Sequence, residues 1–109
     1  MAYKQTPEGK VLREVVDYLN KKGIFWLRLD TKGQLRKIKG DYRYVPSPYT
    51  KVGTPDLVCF PEGHPVFLEI KREKGGRFSP EQLLMKQVIQ DNGMEWYGVK
   101  SLKEVEGLF

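Results

Sequence analysis

One cysteine and one histidine among 109 residues exclude more chemistry than any motif adds. Cys59 has no partner for an internal disulfide, and it sits between Val58 and Phe60 in an apolar run. A lone thiol there reads as core. His64 falls in the turn-like Pro61-Glu62-Gly63-His64-Pro65. One histidine and one cysteine cannot build a Cys/His zinc site, so any bound metal must rely on oxygen ligands. The chain has no apolar run near the ~20 residues that span a bilayer. Its first residues, MAYKQTPEGK, have no apolar signal-peptide stretch, so a cytoplasmic location is expected; a bacterial or phage-infected cell would fit a stand-alone domain. Repeats and low-complexity tracts are also absent.

What is present fits one soluble domain spanning residues 1–109, with 39% hydrophobic and 30% charged residues. The net charge is +5. Between positions 32 and 51, Lys32, Arg36, Lys37, Lys39, Arg43 and Lys51 face Asp41 alone, so this segment accounts for the whole surplus. Tyr42, Tyr44 and Tyr49 lie among them. Cations interleaved with aromatics suit a phosphate backbone and exposed bases. The alternative is a solvated loop whose tyrosines pack on the domain.

Thr6-Pro7 predicts a helix start, and Val11, Leu12, Val15, Val16 and Leu19 give that helix one apolar face. Lys21-Lys22-Gly23 closes it. Ile24 to Leu29 predicts a strand, and 32–52 an irregular excursion with a short hairpin near Gly33 or Gly40. Asp56–Phe60 and Val66–Lys71 predict a hairpin across the Pro/Gly turn. Ser79-Pro80-Glu81-Gln82 opens a second helix with a capping-box pattern, and Asn92-Gly93 ends it. Met94–Val99 is a last strand, followed by a short helix capped by Ser101. The order is α-β-β-β-α-β-α, an α/β sandwich around one mixed sheet.

The predicted hairpin carries charges in its apolar strands. A turn over Pro61–His64 pairs Phe60 with Pro65 and hence Asp56 with Glu69, with Lys71 on the Glu69 face. A slip of one residue would set Asp56 opposite Ile70 on the other face. The first register is expected, because the second strands a charge in the Leu57/Cys59/Leu68/Ile70 layer. Two carboxylates buried together need a compensating charge. Hard oxygen ligands select Mg²⁺ or Mn²⁺. The alternative is a structural ion pair in which Lys71 neutralises one carboxylate.

Pro55-Asp56 followed by Glu69-Ile70-Lys71 resembles the signature of the PD-(D/E)XK nuclease superfamily. With Gly53-Thr54-Pro55-Asp56 and Ser79-Pro80-Glu81-Gln82 added, the chain resembles the VRR-NUC family over nearly its whole length. That resemblance implies a restriction-endonuclease-like core and Mg²⁺-dependent hydrolysis of DNA phosphodiesters, with Mn²⁺ able to substitute. It implies that Asp56, Glu69 and the Ile70 backbone carbonyl hold the ion, and that Lys71 orients or activates the attacking water. Gln82 would line the site, contacting water or phosphate, and Glu8 on the first helix would complete the metal set. Read without the resemblance, Gln82 closes the capping box and Glu8 complements the helix dipole. The resemblance further implies a role in replication or repair on branched DNA such as Holliday junctions, acting as a homodimer. A non-catalytic nucleic-acid-binding module on the same fold is the competing expectation.

Overall fold

The computed structural model describes residues 6–29, 34–45 and 51–109. Helix α1 (Pro7–Lys21) starts as the sequence predicts: the Thr6 hydroxyl accepts the Gly9 amide at 3.0 Å, and Pro7 holds the first helical position. Three short strands follow, β1 (Trp26–Arg28) and the pair β2 (Gln34–Ile38) and β3 (Asp41–Val45). Next come β4 (Leu57–Cys59), a 3-10 turn at Pro61–Gly63, and β5 (Val66–Ile70). Helix α2 (Pro80–Asp91), β6 (Glu95–Val99) and α3 (Leu102–Glu106) complete the chain.

The main sheet runs β1-β4-β5-β6. Its first two pairings are antiparallel and β5–β6 is parallel, so the sheet is mixed. Parallel neighbours need a crossover, and α2 supplies it. Apart from β2 and β3, the order is the expected α-β-β-β-α-β-α. Those two strands form a separate antiparallel sheet turning at Lys39-Gly40, both at positive φ, where the sequence left Gly33 or Gly40 open.

The two sheet faces differ in cover. On one, Val11, Val15 and Leu19 of α1 and Val105 of α3 pack on Leu57, Cys59, Val66, Leu68, Ile70 and Val99. Full burial of such side chains stabilises by roughly 1.5–3 kcal/mol each. On the other, α2 lies against β6, burying Ile89 and Trp96. Helix α2 leaves Leu83, Leu84 and Val88 exposed, as β1 and its approach leave Leu27 and Phe25. Among the described residues no helix is long and apolar enough to cross a membrane.

One expected cap is corrected. Ser101 stands at the N-cap of α3, but its hydroxyl makes no capping bond. Its extended backbone (φ −156°, ψ 157°) leads into a helix of only five residues, and the Glu104 carboxylate instead accepts the Lys100 amide at 2.8 Å.

Candidate active site

The pairing of β4 with β5 sets the site. Leu57 faces Leu68, Val58 faces Phe67 and Cys59 faces Val66, the register that continues to Asp56 opposite Glu69. Asp56 lies just before β4, and its Oδ2 accepts the Ile70 backbone amide at 2.8 Å. That bond ties the carboxylate to the end of β5. Glu69 is 3% exposed, the only charged residue among the buried ones described. Lys71, immediately past the strand, holds its Nζ 3.7 Å from Glu69 Oε1.

Gln82 closes the capping box with one set of atoms and reaches Glu69 with another. Its Oε1 accepts the Ser79 amide at 2.8 Å, while the Ser79 hydroxyl accepts the Gln82 amide at 3.1 Å, a complete capping box. Its Nε2 donates to Glu69 Oε1 at 2.8 Å. Because the cap occupies the carbonyl end, the amide can present only its donor to the carboxylate. The contact is to Glu69, where the resemblance implied water or phosphate.

Helix α2 is seated there by Gly53. This residue has φ +85°, and a Cβ at that position would run into the Glu81 carbonyl. Only glycine allows the backbone before Asp56 to lie against the helix turn that carries Gln82. A second close approach sits under β6. Gly98 faces Glu69 across the parallel pair, and the Phe78 ring fills the space its side chain would need. Lys71 Nζ lies 6.0 Å from the centre of that ring and Lys100 Nζ 5.9 Å.

The electrostatics are those of a site short of positive charge. Burial, then repulsion from Asp56, pushes the Glu69 carboxyl up to about 8, against a partial opposing pull from Lys71. Glu69 Oε1 has two partners, whereas Oε2 is buried with none. An orphaned buried carboxylate oxygen beside a second carboxylate fits a hard cation. Among the described residues no three His, Cys, Asp or Glu side chains gather as a ready-made metal cluster. Asp56 and Glu69 therefore stand as a pair. Glu8 stands apart on the wall of a cleft of about 400 Å³ that Asp56 and Ile70 also line.

Cys59 is buried core, its thiol donating to the Val66 carbonyl at 3.6 Å and pushed up to about 11 by burial. His64 is exposed at the end of the 3-10 turn. Of the basic segment, Lys37, Lys39 and Arg43 are exposed on the β2–β3 hairpin, and Lys51 is exposed before Gly53. The backbone of Arg36 lies in β2, and Lys32 lies outside the described residues. Sequence reasoning missed Arg28, Arg72, Arg77 and Phe78. Their approach to the site depends on tertiary contacts, and only the position of Arg72 directly after Lys71 was a local signal.

A solved structure described as a VRR_NUC domain matches with a TM-score of 0.67 at 24% identity, covering 94% of this chain and 94% of its own. The chain has the VRR_NUC fold. No protein-family model matches the sequence, and no curated protein does. In this VRR_NUC-fold chain the Pro-Asp, Glu-x-Lys and Ser-x-x-Gln segments converge on the end of β5.

Proposed function

We propose that this chain is a VRR-NUC nuclease hydrolysing DNA phosphodiesters with Mg²⁺, Mn²⁺ being able to substitute. The observation that carries the reading is the buried Glu69 carboxylate, with one oxygen fixed by Gln82 and Lys71 and the other without a partner. A purely structural ion pair leaves that oxygen unexplained. The residues assigned to the ion are Asp56, Glu69 and the Ile70 carbonyl, with Glu8 from the shared cleft as a further carboxylate. When bound, Mg²⁺ neutralises charge building on the phosphate and lowers the pKa of a coordinated water.

The chain's own groups divide the remaining work. Gln82 and Lys71 hold Glu69 in one orientation, so the carboxylate does not reorganise when substrate arrives. The Lys71 ammonium, a compact point charge with three donors, steers the attacking water and steadies the phosphate oxygens. The Ile70 amide fixes Asp56 against the same strand end.

Lys32, Arg36, Lys37, Lys39, Arg43 and Lys51 are proposed to contact the DNA backbone, adding affinity without reading bases. Branched DNA in replication or repair, including four-way junctions, is the proposed substrate, engaged by a homodimer. Leu84 and Val88, exposed one turn apart on α2, offer apolar surface for a second copy. The test is cleavage of linear, flapped and four-way-junction DNA in Mg²⁺, Mn²⁺ or EDTA. Cutting in either metal and none in EDTA is expected. Binding without cutting on every substrate would instead favour a non-catalytic module.

A further inference from the structure

Two clefts meet at the N-terminal turn of α1. The first, of about 400 Å³, is lined by Thr6, Glu8, Gly9, Leu12, Arg28, Asp56 and Ile70. The second, of about 480 Å³, is lined by Thr6, Pro7, Glu8, Lys71, Arg72, Gly75, Gly76 and Arg77. Thr6 and Glu8 line both, so the two clefts adjoin at the start of α1, and together they offer a track past the end of β5. Along it the charge runs from Arg28, through Glu8 and Asp56, to Lys71, Arg72 and Arg77. Neither ion pair between described residues engages any of the three arginines.

The second cleft is shaped by glycines. A Cβ on Gly76 would press on the Arg72 backbone and on Cβ of Lys71, and Gly75 has φ +74° with the Arg72 guanidinium lying over it. Gly76 thus lets the loop turn back closely on Lys71 and Arg72, and Arg72 and Arg77 line the same cleft.

We infer that this track seats one strand of the nucleic acid, with Arg28 on a phosphate to one side of the scissile bond and Arg72 and Arg77 on phosphates to the other. The inference rests on the nuclease reading for the central phosphate only. Acid at the centre with cation on both flanks disfavours a polyanion until a divalent cation neutralises the middle. Binding should therefore need that cation, and the arginines should then each remove a counterion.

The test is fluorescence anisotropy of labelled single-stranded and four-way-junction DNA over a salt series, in Ca²⁺ and in EDTA. The full chain is used, with uncut recovery verified on a denaturing gel. Wild type is expected to bind more tightly in Ca²⁺ than in EDTA. Arg28→Ala and Arg77→Ala are each expected to weaken binding several-fold in Ca²⁺. Each should also flatten the slope of log K against log salt by about 0.7 on single strands and about 0.9 on duplex arms. Arg77→Lys should keep the slope. Lys103→Ala on α3, outside both clefts, removes the same charge and should change nothing. Wild-type slopes in both arginine variants, or an equal loss in Lys103→Ala, would overturn the track while leaving cleavage by wild type intact. Arginine-dependent binding without cutting in Mg²⁺ or Mn²⁺ would support the track and defeat the nuclease reading.

Discussion

Among the described residues, two antiparallel hairpins treat charge in opposite ways. In β2–β3, Lys37, Lys39, Asp41 and Arg43 lie exposed to water. In β4–β5, Glu69 is buried between an α1-covered face and the start of α2, and its ionisation depends on each group that touches it. The first hairpin holds much of the basic surplus, and the second holds the fixed geometry. On the proposed reading, charge density marks where DNA is attracted, and a buried charge with an unmatched atom marks where it is acted on.

That contrast breaks most visibly if the buried hairpin loses its charge. Glu69→Ala should lower the single-turnover cleavage rate by roughly a thousandfold or more, about 4 kcal/mol of barrier. Removing Arg43 or Lys37 should leave the rate at saturating DNA within about twofold and weaken binding only, more so at low salt. If Arg43→Ala stops cleavage at saturating DNA, the division of labour between the hairpins is wrong.

Gly53→Ala comes next, because it strains both a positive φ and a backbone-to-backbone contact with Glu81. A loss of about 1–3 kcal/mol in urea unfolding is expected. Gly40, also at positive φ but with open space around it, should cost less on the same substitution, since only the backbone term applies. Equal losses at the two positions would contradict the claimed packing of Gly53 on α2.

Acidity separates the hairpins more gently. The Glu69 carboxyl is raised to about 8 by burial and by Asp56, so its protonated form is the one the fold favours without a cation. Its contribution to stability is present below the ordinary carboxylate range near ~4.3 and is lost as pH rises through about 8. Thermal unfolding in EDTA should show Tm falling between about pH 5 and pH 8, and Glu69→Gln should flatten that fall. A wild-type Tm that does not fall over this range would place the Glu69 charge in a less hostile setting.

The same contrast explains what the sequence made legible. The turn at Pro61–His64 and the alternation of Leu57, Cys59, Leu68 and Ile70 fixed one register, and with it the meeting of Asp56 and Glu69. Thr6-Pro7 and the Ser79/Gln82 capping box are local signals, so both long helices could be placed before the fold was known. The β2–β3 pairing was less visible, since its polar strands give no period tied to a core. Gly53 against Glu81, Phe78 against Gly98, and Arg28 on the wall with Asp56 are contacts between distant segments. No local pattern encodes them. The capping box also concealed a second use of Gln82, because the amide nitrogen facing Glu69 becomes apparent only once α2 is docked.

The central claim is that the end of β5 is a reaction centre, with Lys71 acting on the phosphate and its water. The direct measurement is single-turnover cleavage of the best-cut DNA by wild type and Lys71→Ala in Mg²⁺, with affinity measured in parallel in Ca²⁺. The account predicts a rate loss of about a hundredfold or more with affinity lowered only several-fold. Equal cleavage rates for the two proteins would contradict it.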